Sequence, residues 1–348
     1  MIEISRRNLL RGVAVTTAAV ALTSGYAVAA YATSPPARPA PAGPAAPGGA
    51  CTMRTLPVPA DTYRSDVTAM DPSGRFVLGS AIVRQATDTH PVLLWDRGRL
   101  TSFDPPVPGG SPVDVNRHGV AVGNGPRDVL SPPWRYRAGR GELLPVLDPA
   151  DDTTVVAVNS GGDIVGMGLT PTNRRYGLLW PAGRPGTVRV IDTPSPYSTI
   201  TGLTDDGTVV GRTDGIETTS WLRTPAGVLR PLTGPDGEAW VTVRAASGRW
   251  AVGQGLQGGA NAGLRWNLRT GRYTVLDPQL GYDQTDVNGR GTVLGGSLIQ
   301  RGDTVLTLPS PAPDHVVGGR AIADNGTVAG FHNPRVPDGV RAVLWTGC

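Results

Sequence analysis

From Val67 to the last residue the sequence repeats one unit seven times, and no other feature restricts the fold as tightly. Each unit has a polar turn ending in glycine, an apolar run closing on a second glycine, and an apolar run closing on tryptophan beyond a loop. The turn glycines are Gly74, Gly119, Gly162, Gly207, Gly248, Gly291 and Gly326. The second glycines are Gly79, Gly123, Gly166, Gly211, Gly253, Gly295 and Gly330. The tryptophans are Trp95, Trp134, Trp180, Trp221, Trp266 and Trp345, and Gln300 takes that place in the sixth unit.

Within each unit, four short runs rich in Val, Leu, Ile and Thr are separated by Gly, Asn, Asp and Pro, the pattern of four antiparallel strands joined by tight turns. We label them A to D, with the Asx-Gly turn between A and B and the tryptophan at the end of C. A four-stranded meander cannot bury both of its faces alone, so it must stack on neighbours. Four strands in a period near forty fit a propeller blade, and seven blades close a ring. The expected fold is therefore an all-β seven-bladed propeller over residues 51–348. The glycine of strand B is expected to allow close backbone approach, and the tryptophan to fill the space between blades.

The two ends of the repeat are out of phase. Cys51-Thr-Met-Arg-Thr-Leu-Pro reads as a D strand with no A, B or C before it, like Leu143-Leu-Pro-Val-Leu. Val343-Leu344-Trp345-Thr346-Gly347-Cys348 reads as a C strand with no D after it. The N-terminal segment should thus supply the outer strand of the seventh blade. The cut C-to-D turn then has Cys51 on one side and Cys348 on the other. A disulfide between them would staple the ring in an oxidising compartment; two free thiols or a lipid on Cys51 are the alternatives, and a lipobox cysteine would directly follow the apolar run.

Residues 1–30 read as a twin-arginine export signal: Arg6-Arg7, a charge-free run from Gly12 to Ala30, and the small-x-small site Ala27-Val28-Ala29. An uncleaved anchor is the other reading, since that run is just long enough to span a bilayer. Its mild hydrophobicity favours a mature protein without a stable membrane span, with the twin-arginine export machinery as the implied partner. Residues 31–50 form a Pro, Ala and Gly tract with too few large apolar groups to fold, an extended linker. The formal charge is +4; Arg6, Arg7, Arg11 and Glu3 account for +2 of it, which leaves +2. No basic helix or arginine cluster accompanies that balance, so nucleic acid is not an expected partner.

In the expected blade, A-to-B and C-to-D turns share one face, and the longer B-to-C and D-to-A loops share the other, where a site is expected. The sixth unit departs from this, with Gly295-Gly296 alone between B and C. Two constellations fall on the long-loop face. Tyr63, Tyr197, Trp240 and Tyr282 each precede an A-to-B turn where strand A enters the ring; they read as a ligand-stacking platform or as caps on the apolar core. His90, His315 and His332, with Asp88 and Asp314, fall on the neighbouring first and seventh blades. That is a metal-ligand set, although no HxH or HExxH spacing supports it over scattered surface histidine. Thr204-Asp-Asp-Gly207 and Ala323-Asp-Asn-Gly326 lack the later ligands of a calcium loop and read as hairpin turns.

The chain has no lysine, no GxSxG, no SxxK, no Cys-His pair and no Gly-rich phosphate loop. The repeat resembles the bacterial extracellular HAF-repeat family, whose unit looks like D-I-N-x-x-G-x-V-V-G followed by H-A-F-L-W. The segments carrying the resemblance are Val113-Asp-Val-Asn-Arg-His-Gly-Val-Ala-Val-Gly123, Ile322-Ala-Asp-Asn-Gly-Thr-Val-Ala-Gly330, His90-Pro-Val-Leu-Leu-Trp95 and Arg341-Ala-Val-Leu-Trp345. The resemblance implies a secreted propeller without an assigned activity. The expectation is a monomeric, secreted or envelope-associated binding or scaffold module without cofactor, recognising a glycan or protein. The alternative is an extracellular hydrolase or lyase with two Asp across the channel.

Overall fold

The computed structural model describes residues 51–348 except 85–87, 127–129, 216–217, 238–239, 282–283 and 336–338, with Asp236 described by its backbone alone. The signal, the linker and Tyr282 therefore lie outside the described residues.

The chain begins with β1 (Thr52–Thr55) and continues as consecutive four-stranded meanders, all antiparallel. Blade one is β2 (Thr62–Met70), β3 (Phe76–Val83), β4 (Val92–Asp96) and β5 (Arg99–Phe103). Blade two is β6 (Ser111–Val115), β7 (Ala121–Asn124), β8 (Trp134–Arg137) and β9 (Arg140–Leu143). Blade three is β10 (Asp152–Val158), β11 (Ile164–Leu169), β12 (Arg175–Trp180) and β13 (Arg189–Ile191). Blade four is β14 (Ser198–Leu203), β15 (Val209–Thr213), β16 (Thr219–Arg223) and β17 (Leu229–Leu232). Blade five is β18 (Val241–Ser247), β19 (Trp250–Gln257), β20 (Ala260–Asn267) and β21 (Tyr273–Val275). Blade six is β22 (Gln284–Val287), β23 (Val293–Gly295), β24 (Leu298–Arg301) and β25 (Thr304–Thr307). Blade seven is β26 (Val316–Ile322), β27 (Val328–Asn333) and β28 (Arg341–Thr346), completed by β1 in the order β26-β27-β28-β1.

The seven-bladed propeller expected from the repeat is thus the fold, and the ring closes as the phase of its ends requires. Thr52 to Thr55 pair with Thr346 to Val343. Cys51 and Cys348 form a disulfide with their Cα atoms 4.5 Å apart. The hydrophobic core is divided between the blades. Each of its seven clusters joins two neighbours; one unites Leu56, Val67, Val77 and Trp95 with Ala329, Ala342 and Leu344 of blade seven.

Both repeated glycines have a physical cause. The turn glycines all have positive φ, from 56° at Gly248 to 88° at Gly162, a region other L residues rarely adopt. The asparagine or aspartate ahead of them ties the turn: Asn116 Oδ1 accepts from the backbone N–H of His118 and Val120, and Asn288 Oδ1 from Arg290 and Thr292. The strand-B glycines face a β-bulge. In all seven blades the A strand carries one extra residue opposite strand B: Thr68, Val113, Val156, Thr201, Arg244, Thr285 and Arg320. The bulge brings a carbonyl of strand A against the glycine, so that a Cβ on Gly79 would sit 2.2 Å from the Asp66 oxygen.

The tryptophans also link blades through their ring nitrogens. Trp95, Trp180, Trp266 and Trp345 donate from Nε1 to the carbonyls of Pro57, Pro145, Thr233 and Pro309, each just beyond the outer strand of the preceding blade. Gln300 holds the same junction with reversed polarity, its Oε1 accepting from the Asp277 N–H at 3.0 Å. Two tryptophans depart: Trp134 donates to Asn124 of its own blade, and the buried Trp221 Nε1 has no partner among the described residues. Trp266→Phe is expected to cost about 1 kcal/mol more than Trp221→Phe, because only the former strands a carbonyl that had a donor. Urea unfolding of the two variants checks this, and equal losses would contradict it.

Candidate functional site

The seven inner strands surround a channel, and where they run into the A-to-B turns all seven blades line a cavity of about 220 Å³. It lies on the short-turn face, whereas the sequence pointed to the long-loop face. Its polar wall contains Asp114, Asp205, Asp286 and Arg320.

Asp114 and Asp286 occupy the same strand position in blades two and six, directly after the bulge, and make identical contacts. Asp114 Oδ1 accepts from the N–H of Val115, and its Oδ2 from the N–H of Val158 in blade three. Asp286 Oδ1 accepts from Val287, and its Oδ2 from Ile322 in blade seven. Two residues on, Asn116 Nδ2 donates to the Asn159 carbonyl and Asn288 Nδ2 to the Ala323 carbonyl. The Asp-Val-Asn triplet therefore braces one blade to the next. Asp205 and Asp324 reach the opposite way, accepting from Ser160 and Gly289 in their preceding blades.

Burial pushes the carboxyls of Asp114 and Asp286 up to about 7, against the pull of their two backbone donors. Neighbouring carboxylates add to the rise, Asp205 for Asp114, and Asp114 and Asp324 for Asp286. A pKa raised on folding stabilises the protein fully below the unfolded value of about 4, and that contribution is lost as pH rises through about 7. The melting temperature is expected to fall between pH 5 and pH 8, and the Asp114→Asn, Asp286→Asn double variant to flatten that fall. A wild-type profile that is flat or rises over the interval would contradict this.

On the long-loop face the candidate aromatics are spread over the ring. Tyr63 is the second residue of β2; its hydroxyl donates to Asp88 at 2.8 Å and the Arg84 guanidinium covers its ring at 4.9 Å. Tyr197 stands exposed just ahead of β14, and Trp240 is half-buried just ahead of β18. Two of the three histidines meet: His332 Nε2 and His315 Nδ1 are 2.8 Å apart, with Asp314 3.9 Å from His315 Nε2. Burial and the neighbouring His315 lower the His332 pKa, which favours its neutral ring. His90 is exposed and does not join them, and no group of three metal-ligating side chains forms among the described residues.

A second cavity, of about 630 Å³, opens on the long-loop side between blades two and three. Among the described residues it is bounded by the start of β6, by Gly125, Pro126 and Ser131, and by the start of β10. Thr68 borders both this cleft and the channel cavity. The sequence raised the channel only as the alternative reading, two Asp across it with no residue named, and did not raise the cleft. For the channel, the signal that could have found it is the recurrence of Asp-Val-Asn at 114–116 and 286–288. No helix among the described residues is long and apolar enough to cross a membrane.

No protein-family model matches the chain, and no curated protein matches it. Solved structures do. The β-propeller domain of the trilobed protease from Pyrococcus furiosus is similar at 9% identity and a TM-score of 0.58, over 82% of this chain and 95% of that one. A puromycin-hydrolysing peptidase from Mycobacterium tuberculosis is similar at 13% identity and a TM-score of 0.57, over 84% of this chain and 54% of that one. The Pyrococcus horikoshii acylaminoacyl peptidase follows at 10% identity and 0.55, over 83% and 52%. This chain thus spans about half the length of the two whole peptidases. The trilobed protease domain has an open velcro topology, whereas here β1 and the Cys51–Cys348 bridge close the ring. At such identities the likeness establishes the propeller fold.

Proposed function

We propose that the protein is an exported, non-catalytic binding or scaffold propeller of the cell exterior or envelope, using its long-loop face to hold a glycan or a protein. The observation that carries this reading is the commitment of the paired channel carboxylates. Both oxygens of Asp114 and of Asp286 already accept backbone N–H groups that brace adjacent blades. Each oxygen spends one of its two lone pairs there, and this bracing between blades gives both carboxyls a structural duty. The terminal disulfide fits an oxidising compartment, and the twin-arginine pattern and the resemblance to extracellular HAF-repeat proteins fit export.

The enzyme reading has one observation in its favour, two carboxyls raised to about 7 along one channel, where an acid and a base would work at neutral pH. One experiment separates the two. The purified protein is incubated with aryl glycosides and extracellular polysaccharides, and in parallel applied to a glycan array and to envelope extracts. Saturable binding without turnover supports the binding module. Turnover that disappears in Asp114→Asn or Asp286→Asn, with folding intact, overturns it in favour of a hydrolase.

A further inference from the structure

Beyond the binding reading and independently of it, we propose that His315 and His332 of blade seven form a two-histidine site for a divalent metal of tetragonal geometry, copper(II) before nickel(II).

Strand register brings the two rings together. Val317 of β26 pairs with His332 of β27, so their side chains leave the same face of the sheet. His315 precedes Val317 by two residues, and an extended chain repeats its side-chain direction every second residue. It is therefore the diagonal neighbour of His332 on that face, within reach of a long side chain. Both backbones are held. The His315 N–H donates to the Ala312 carbonyl at 3.2 Å, and the Ser310 hydroxyl donates to that same carbonyl at 2.8 Å. His332 lies inside β27, paired with β26 on one side and β28 on the other. Ligands on fixed backbone need little ordering when a metal arrives.

The distance selects the metal. His332 Nε2 and His315 Nδ1 are 2.8 Å apart. Two nitrogens about 2.0 Å from one metal and at a right angle to each other stand about 2.8 Å apart, whereas a tetrahedral pair stands about 3.3 Å apart. The pair thus has the spacing of adjacent ligands on a square-planar or tetragonal ion. The rings are tilted by 44°, with their centroids 4.9 Å apart, and a turn of each ring about its Cβ–Cγ bond, a soft torsion, aims both nitrogens at one point. The far side of His315 also fits. Asp314 lies 3.9 Å from its Nε2, and a carboxylate there favours the proton on Nε2 and leaves the lone pair on Nδ1, as metal-ligating histidines are commonly arranged. In the metal-free pair the His332 Nε2–H donates to that lone pair. When the metal enters, this proton passes through solvent to His332 Nδ1, both rings stay neutral, and both facing nitrogens can ligate. Both rings are half-buried, so solvent reaches them.

The test uses the purified, untagged full chain. Copper(II), nickel(II) and zinc(II) are titrated one at a time by calorimetry, and pulsed electron paramagnetic resonance of the copper-loaded protein counts the imidazoles on the metal. The chain has four histidines, so a His90→Ala, His118→Ala double variant keeps only the proposed pair. The expected result is one copper per chain with two imidazoles, unchanged in that double variant and weakened at least tenfold in His315→Ala and in His332→Ala. Copper is expected to bind at least tenfold more tightly than zinc. The imidazole count is read on the wild type, so it decides even where a variant proves unstable. A wild type that binds no copper, a count of one or none, affinity retained in either single variant, or zinc bound as tightly as copper overturns the site. None of these outcomes touches the glycan or protein reading, which the array and extract experiments decide.

Discussion

Reducing the Cys51–Cys348 bridge is expected to lower the unfolding free energy by about 5 kcal/mol, the chain-entropy value for so long a loop. The bridge spans 297 residues, so its loss releases nearly the whole ring in the unfolded ensemble. The folded ring would then depend on β1 alone. That strand is four residues long and mostly exposed, with Met53 half-buried and Leu56 just beyond it fully buried. Denaturant unfolding with and without reductant measures the difference, and Cys348→Ser should reproduce it without reductant. A change below about 1 kcal/mol would show that pairing of β1 with β28 holds the ring without covalent help.

The second large effect belongs to the glycines behind the bulges. Gly253→Ala places a methyl 1.9 Å from the Thr242 carbonyl oxygen and 2.9 Å from the Val243 Cα, both backbone atoms that cannot rotate aside. Either the bulge of blade five is lost or the strands part, and a loss of about 4 kcal/mol or more is expected. Gly183→Ala, at a loop glycine with nothing within 4 Å of the added atom, is the matched control and should change stability by less than about 0.5 kcal/mol. Similar melting temperatures for the two variants would mean that strand A tolerates displacement at the bulge.

The repeat carried the fold because a periodic pattern states local structure and stacking together. Turn glycines, strand-B glycines and tryptophans each answer to one geometric demand, set by positive φ, by the bulge carbonyl and by the inter-blade space, and only blade six lacks the tryptophan. The cut turn between Cys348 and Cys51 was legible for the same reason, since a unit missing one strand names the strand that must replace it. Gln300 showed only as an absent tryptophan, and its structure explains it as an acceptor in place of a donor. In the sixth blade the B-to-C turn is Gly296-Ser297, one residue later than the sequence placed it.

The candidate sites were far less legible. Asp114 and Asp286 stand at the same position of the second and sixth repeats, yet their role depends on which backbone N–H of the next blade they meet, and that follows only from the packed ring. His315 and His332 were grouped with His90 by blade adjacency, yet the two rings that meet both belong to blade seven, and His90 on blade one stays apart. Tyr63, expected beside the channel, has its hydroxyl on Asp88 and Arg84 over its face. Loop side chains are placed by contacts that no spacing rule records.

The most direct measurement for the closed ring and its proposed export is non-reducing peptide mass spectrometry of the protein recovered from culture medium. The account predicts a mature chain that has lost its first 29 residues, a cross-linked peptide joining Cys51 to Cys348, and no thiol open to alkylation. An intact N-terminus, or two cysteines that alkylate without reductant, would contradict it.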